Sequence, residues 1–534
     1  MFFSLYALAQ EPGDKPEACQ PGASATADDD YRCGLALAAL GKSKLATDAF
    51  EGGRIKAPGD KRFPIELAGL AFRAREYGEA KRLLHRALRI DPSDGYANEF
   101  LATLYFLDGN LDAALKYWNR AGKPIVQNVT NDPQPRIDAA LLDRAFTFAP
   151  GTMLSAEQLR ETQQRLDLLE VFSNYRFDAA ARLDGRFDVV FRNSERNGWG
   201  SSKISKLLNL FDRLPFQTIT PEAHNLRGRG VNFVSLYRFD AQKRRLFLSF
   251  GAPLQGNPKW RYGVSADLRK ENWDLRYPSD LSEAARNVRL EKAAVSAQLQ
   301  AVLNPDWNWS SAVEVADRRY LTPMAAPGTT DASLAQDGPT LKYVTQLKGK
   351  PLRVPEKRLV GTVTARAALG KWWASSAQAF AKVEGGVRTT WMPQEKGDDY
   401  ALSAQLRAGK TFGALPLDEL NVLGVEGDSG LWLRGHAAVH AGKKGAAPMG
   451  RNFLLFNSEW DKNVYQGAIF GIKLGPFLDM GRVTDPAGML GSRRWLIDSG
   501  VQLKLRVFGG LGITLSYGRG LVDGSNALHA SALR

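Results

Sequence analysis

Histidine and cysteine are scarce in this chain, at 5 and 2 of 534 residues. There is no G-x-S-x-G elbow, no P-loop and no Cys/His cluster, so the common routes to nucleophilic, phosphoryl-transfer and zinc chemistry lack their residues. "HAAVH" places His436 and His440 four apart, but on a glycine-rich loop and without the carboxylate between them that a zincin helix carries. His85, His224 and His529 stand alone. The expectation is a protein without catalytic residues, metal or cofactor, and not an enzyme. Long apolar runs are absent as well: nothing approaches the ~18 consecutive apolar residues of a membrane helix. Strands that alternate apolar and polar residues average to a polar value, so a mean hydropathy of −0.30 leaves a membrane barrel open. Basic residues outnumber acidic ones, 71 to 57, for a net charge of +14. They are dispersed and accompany no nucleic-acid motif, which points to an anionic membrane surface or a basic channel and away from nucleic acid.

The opening "MFFSLYALAQEPGDK" ends an apolar run in Ala7-Leu8-Ala9, a small-x-small cleavage pattern. Residues 1–9 are expected to be a partial signal peptide and 10–30 a linker. In an exported protein Cys19 and Cys33 would form a disulfide, stabilising the intervening loop by up to ~3 kcal/mol.

Residues 31–125 repeat. Ala46, Ala80 and Ala114 recur at a constant spacing, aligned with Gly34, Ala68 and Ala102 and with Phe50, Leu84 and Trp118, while Pro58 and Pro92 close two units. Small residues recur where paired helices approach closely, large ones where units meet. "EYGEAKRLLHRALRIDPSD" and "GNLDAALKYWNRAGKP" resemble the second helix of a tetratricopeptide repeat (TPR), which implies an all-α array with a peptide-binding groove.

Residues 132–197 change texture. "RIDAALLDRAFTF" reads as a strand, Ser155 and Gln158 as a capping box, and Leu159, Leu166, Leu169 and Phe172 as one helical face. Asp184-Gly185 is a hairpin turn between two alternating runs. Strand, helix and hairpin make a small α+β unit. "F-x-x-G", "L-x-x-T-x-x-R-L" and "VFSNYRF" are similar to a polypeptide-transport-associated (POTRA) domain, which implies a sheet edge able to accept a client strand.

From residue 200 to 534 the chain reads as long alternating strands. "WRYGVSADLR" sets Tyr262, Val264, Ala266 and Leu268 against Arg261, Ser265, Asp267 and Arg269, and "GVQLKLRV" and "LGITLSYG" divide in the same way. One apolar and one charged face over such lengths predicts a transmembrane antiparallel barrel of about 16 strands, lipid outside and water inside. Trp260, Trp273, Trp372, Trp373 and Trp495 near strand ends read as interfacial girdles. Inward carboxylates such as Asp267 sit among Arg and Lys and read as lumen salt bridges.

One strand holds an ionisable group among apolar neighbours. In "FGIKLGPFLDMG", Phe470, Ile472, Leu474, Leu478 and Met480 share the lipid face, leaving Lys473, Phe477, Asp479 and Gly481 in the lumen. A cation for Asp479 lies upstream in the glycine-rich loop "DSGLWLRGHAAVHAGKKGAAPMGRN": Arg434, between Leu433 and Gly435, could fold inward to meet it bidentately, with Glu459 as a second acceptor.

"LRGH", then "NFLLFNSEW", "FLDMG" and "SGVQLKLRV" resemble the BamA/TamA/FhaC superfamily of outer-membrane barrels. The resemblance implies that Leu433, Arg434, Gly435 and His436 form the lumen-loop motif and Phe477, Asp479 and Gly481 the strand motif. His436 stands where the family has an aromatic ring, and "ALHASALR" lacks the family's terminal aromatic. The implied function is insertion or translocation of polypeptides across a bacterial outer membrane, with periplasmic TPR and POTRA-like domains receiving clients. Implied partners are unfolded or secreted polypeptides, outer-membrane lipid and lipopolysaccharide, and periplasmic accessory proteins. The competing readings are a TPR-barrel polysaccharide export porin, or a surface adhesin or phage receptor.

Overall fold

The computed structural model describes residues 26–196, 217–275, 286–321, 334–394, 397–467, 470–485, 491–492, 494–507 and 511–533. The expected signal peptide and Cys19 lie outside these residues. Cys33, on the first helix, is disulfide-bonded. Two compact units divide the chain: Met1–Thr130 with Phe148–Leu159 and Phe177–Phe191, and Asn131–Thr147 with Arg160–Arg176 and Arg192–Arg534.

The first unit is dominated by six helices, α1 (Ala27–Ala39), α2 (Ser43–Lys56), α3 (Arg62–Arg73), α4 (Tyr77–Ile90), α5 (Gly95–Leu107) and α6 (Leu111–Trp118). They pack as hairpins α1–α2, α3–α4 and α5–α6, each on the next. Helix α1 begins at Ala27, inside the expected linker, because Thr26 and Asp29 form a capping box there. The recurring positions are the packing positions: Ala46, Ala68, Ala80, Ala102, Ala114, Phe50 and Leu84 are all fully buried. A Cβ on Gly34 would lie 2.4 Å from the Phe50 ring, so only glycine lets α1 and α2 approach this closely.

Beyond the helices come β1 (Val126–Asp132), α7 (Ala139–Ala145), α8 (Ala156–Leu169), β2 (Phe172–Ala181) and β3 (Phe187–Glu195), with the sheet in the order β1-β3-β2. Ser155 and Gln158 form the expected reciprocal cap, and Gly185 takes φ +78° in the hairpin turn. One expectation fails: "RIDAALLDRAFTF" is helical at its centre. Asp138 caps Leu141 N at 3.0 Å, and Leu141, Leu142 and Ala145 are buried at helical rather than alternating spacing. The strand lies earlier, at β1. Phe172, expected on the helix face, opens β2.

The second unit is built on a large antiparallel sheet. Counting Thr218–Ile219 and Glu222–Leu226 as one interrupted strand, and setting aside four two-residue strands between residues 421 and 450, fifteen strands are described from Thr218 to Leu533. Each pairs antiparallel with the next, and the strand order circles back from the last to the first. Among the described residues no register ladder joins those two end strands, and the sheet is not closed there. A sixteenth is not among the described residues.

The outward face is apolar and exposed, with Val264, Leu268, Val295, Val315, Leu406 and Val501 each about half accessible. The inward face carries buried charge, including Arg318, Asp479 and Asp498. That inversion is expected where lipid surrounds the sheet. The girdle expectation needs correction at two positions. Trp372 is fully buried and Trp273 nearly so, both on the lumen face, whereas Trp373 and Trp495 are exposed. Strand periodicity decides this: Trp273 shares parity with Asp267 and Arg269, and of two adjacent tryptophans only one can face outward.

Candidate functional site

The loop between strands Tyr400–Gly413 and Asn452–Gln466 folds into the lumen and is held on three sides of it. The first attachment is the expected one. Arg434 Nε and Nη2 donate to the two carboxylate oxygens of Asp479 at 2.8 and 2.7 Å, and Arg434 N donates to Oδ2 at 3.0 Å. Its Nη1 donates to Glu459 at 2.8 Å and to Gln502 at 3.0 Å, while the guanidinium lies 3.9 Å from the centre of the Phe477 ring. A fork donor facing a carboxylate, with an aromatic face beneath, fixes direction as well as charge. Asp479 has no exposed surface, and Asn457 Nδ2 donates to it at 2.8 Å and to Trp432 O.

Glycines let the backbones meet. A Cβ on Gly518 would lie 2.3 Å from Arg434 O, and one on Gly435 would lie 2.7 Å from Gly520 N. A Cβ on Gly500 would lie 2.7 Å from the Phe477 ring. Gly481 is less constrained, 3.1 Å from a Leu455 methyl. Leu433 is buried with Leu423, Phe453, Leu455, Val483 and Leu496, an apolar plug above the ion pair.

His436 was expected only as a departure from an aromatic position. Its Nδ1 lies 3.0 Å from Asp498 Oδ2 and its Nε2 2.8 Å from Asp523 Oδ2, with Gly435 N donating to Asp498 at 2.6 Å. Ser525 Oγ is 3.2 Å from Nε2, which completes a serine–histidine–aspartate contact chain. Both ring nitrogens face carboxylates, which accept only, so the arrangement favours the doubly protonated imidazolium over a free base. His436 is a second cation of the latch. Asp498 shares strand parity with Gln502 and Lys504, and that alternation was the available signal for it.

His436 lies on the loop and not on a spanning strand. Burial alone would push its pKa down; the Asp498 and Asp523 carboxylates outweigh burial and raise it. A raised folded pKa means stabilisation complete below the unfolded value of ~6.5 and lost as pH rises through the folded value. Trypsin cleavage of the loop in proteoliposomes should therefore accelerate from about pH 7 upward. His436→Phe should remove that dependence, and identical pH profiles for the two proteins would show that the ring charge plays no part.

The other two attachments were not anticipated. Asp428 accepts from Arg238 and Arg245 at 2.8 Å each, and Lys444 donates to Glu271 at 2.8 Å while facing Glu426 and Asp428. Lys444 also pairs with Trp273 in a parallel bridge and sits 5.4 Å from its ring. On a third side Asp418 accepts from Arg318 at 2.7 Å and Lys292 at 3.2 Å, and Glu419 from Lys342 at 2.6 Å. "PLDEL" and "VEGDSG" carry no pattern that marks these acids as partners of strands 77 to 190 residues away.

No family model and no curated protein sequence matches this chain. Similar solved structures include BamA from Haemophilus ducreyi lacking POTRA domains 1-3, at 11% identity and a TM-score of 0.46, covering 77% of this chain and 85% of that one. CdiB from Acinetobacter baumannii is 11% identical over 82% of this chain and 78% of its own, with a TM-score of 0.44. CdiB from Escherichia coli is 13% identical over 77% of this chain and 75% of its own, with a TM-score of 0.45.

Proposed function

We propose that the chain is an outer-membrane barrel of the BamA/TamA/FhaC type that inserts or translocates polypeptides and performs no covalent chemistry. One observation carries the reading: Arg434, on a loop that enters the lumen, grips Asp479 on the strand bearing F-x-D-x-G. Both halves of the motif pair resemble that superfamily, and here they are in contact. The three-stranded α+β region and the helical hairpins act as POTRA-like and TPR domains in the periplasm, delivering clients and meeting accessory proteins. A sheet edge can take a client strand by main-chain pairing, and a helical groove can hold a peptide. The export-porin alternative needs a wide, permanently open lumen, which a loop held by three sets of ion pairs opposes.

Conductance in planar bilayers tests this. Wild-type protein should give small, intermittent openings, and deletion of residues 428–446 should convert them to large, steady ones. Large, steady, sugar-permeable openings in the wild type would reject the translocase reading. Loss of the chain should also lower surface exposure of particular outer-membrane or secreted proteins while leaving surface polysaccharide unchanged.

A further inference from the structure

Charge on the outward face of the barrel is gathered mainly at one end; at the other, Lys462 lies beside the exposed Tyr400. Arg244 is paired in register with Lys270, Lys270 with Glu291, and Glu291 with Arg319, so a row crosses four adjacent strands. At ~4.8 Å per strand the row spans ~14 Å. Arg289 lies two residues from Glu291 on the same strand and same face. The row therefore presents four cations around two carboxylates, Glu291 and Asp317, of which Lys270 engages Glu291 at 2.8 Å. Arg319 is 3.6 Å from Asp317 and still 70% accessible, and Arg244 has no ion-pair partner among the described residues. Further round, Lys371 and Lys410 face outward beside Trp373 and Phe412, again without ion partners among the described residues.

Toward mid-barrel, the same faces of these strands become apolar: Leu246, Leu248, Leu268, Val295 and Val315 are all exposed. At the far end they carry exposed Phe250, Leu303, Trp391 and Tyr400. The cationic end is also the end of the long loop, which begins directly after Gly413, three residues beyond Lys410. The other end is that of the short turns, where Asp138 N donates to Gly228 O and Arg144 to Gly256 O. A cationic row directly above an apolar stripe complements an amphiphile with an anionic head.

We propose that Arg244, Lys270, Arg289 and Arg319 form a binding surface for the phosphates of a multiply phosphorylated outer-leaflet glycolipid, whose acyl chains lie along the apolar stripe. The sidedness rests on the functional reading above, which places the α+β region in the periplasm and so the cationic end in the outer leaflet. A headgroup with two separated phosphates can engage a row of this length at more than one point. Singly charged phospholipids engage it once.

Full-length protein in detergent is titrated with bisphosphorylated lipid A, with enzymatically dephosphorylated lipid A and with phosphatidylglycerol, and bound lipid is counted by native mass spectrometry. Bisphosphorylated lipid A should be retained best. The variant R244Q/K270Q/R289Q/R319Q should retain at least about tenfold less, since each cation near a charged lipid surface contributes measurably. Heat-modifiable gel mobility reports whether that variant folds. Should it not fold, raising the salt on wild type to about 1 M should strip the lipid, because screening then reaches within ~3 Å. Equal retention of the dephosphorylated lipid or of phosphatidylglycerol, displacement by millimolar inorganic phosphate, or undiminished binding by the folded variant would each overturn the proposal. Client surface exposure, followed in parallel in cells, reports on the translocase reading separately, so either can fail alone.

Discussion

Replacing Arg434 by alanine, or Asp479 by asparagine, will free the lumen loop at its central attachment and abolish the proposed client handling while the barrel still folds. Arg434 and Asp479 are 4% and 0% accessible. Removing one partner of so buried a pair costs ~3–5 kcal/mol, because the survivor keeps its desolvation penalty without its counter-charge. In Arg434→Ala, Asp479 retains, among the described residues, Asn457 alone as a side-chain donor, and Glu459 retains Lys504 at 2.7 Å. The swap Arg434→Asp with Asp479→Arg should recover part of the function. Recovery stays partial because the new aspartate faces Glu459, and the main-chain bond from residue 434 to the strand carboxylate is lost. Trypsin on intact cells supplies the readout. Lys444 is buried and Arg451 is engaged with Asp485, so wild type should resist, and each single variant should be cut in the 443–451 segment. Equal cleavage of wild type and all variants would place the loop outside the barrel and end the latch account.

Gly518→Ala should displace the loop to a similar degree with every charge left in place. The added methyl would come within 2.3 Å of Arg434 O and 2.5 Å of its carbonyl carbon, and neither backbone atom can rotate away. To relieve the overlap the loop must lift off strand Leu511–Gly520, drawing Gly435 N away from Asp498 and the guanidinium away from Asp479. Loss of client handling with heat-modifiable mobility intact is the expected result. Gly385→Ala is the control: a methyl there meets nothing within 4 Å, and the change should stay within about 0.5 kcal/mol of wild type. If Gly518→Ala behaves like that control, the close approach of loop and strand is not needed for function.

The two predictions differ in what a reader of the sequence could have foreseen. Asp479 was placed in the lumen by counting residues, because a strand's side chains alternate without regard to what the rest of the chain does. Arg434 could be named because the loop offers few cations and the motif pair resembles a known one. The same counting reaches Asp498, Trp273 and Trp372 when it is applied to every strand. Gly518 could not be foreseen as a contact point: its sequence neighbours say only that it lies in a strand, and what presses against it comes from 84 residues upstream.

Local chemistry determined the helical hairpins, with their recurring small and large packing positions, and the capping box of α8. It also determined the two-faced strands and the inward carboxylate, since short-range sterics and a fixed periodicity settle each of these. Local chemistry misread "RIDAALLDRAFTF", where a cap at Asp138 and a helical burial pattern outweighed an apparent strand. Only the tertiary structure decided that the loop has three attachments rather than one. Arg318 with Asp418, Lys342 with Glu419, Lys444 with Glu271 and His436 with Asp498 are ion pairs separated by 62 to 173 residues. Coulomb attraction depends on distance in space, and the curvature of the sheet sets that distance, so a linear reading finds the charges but not their partners.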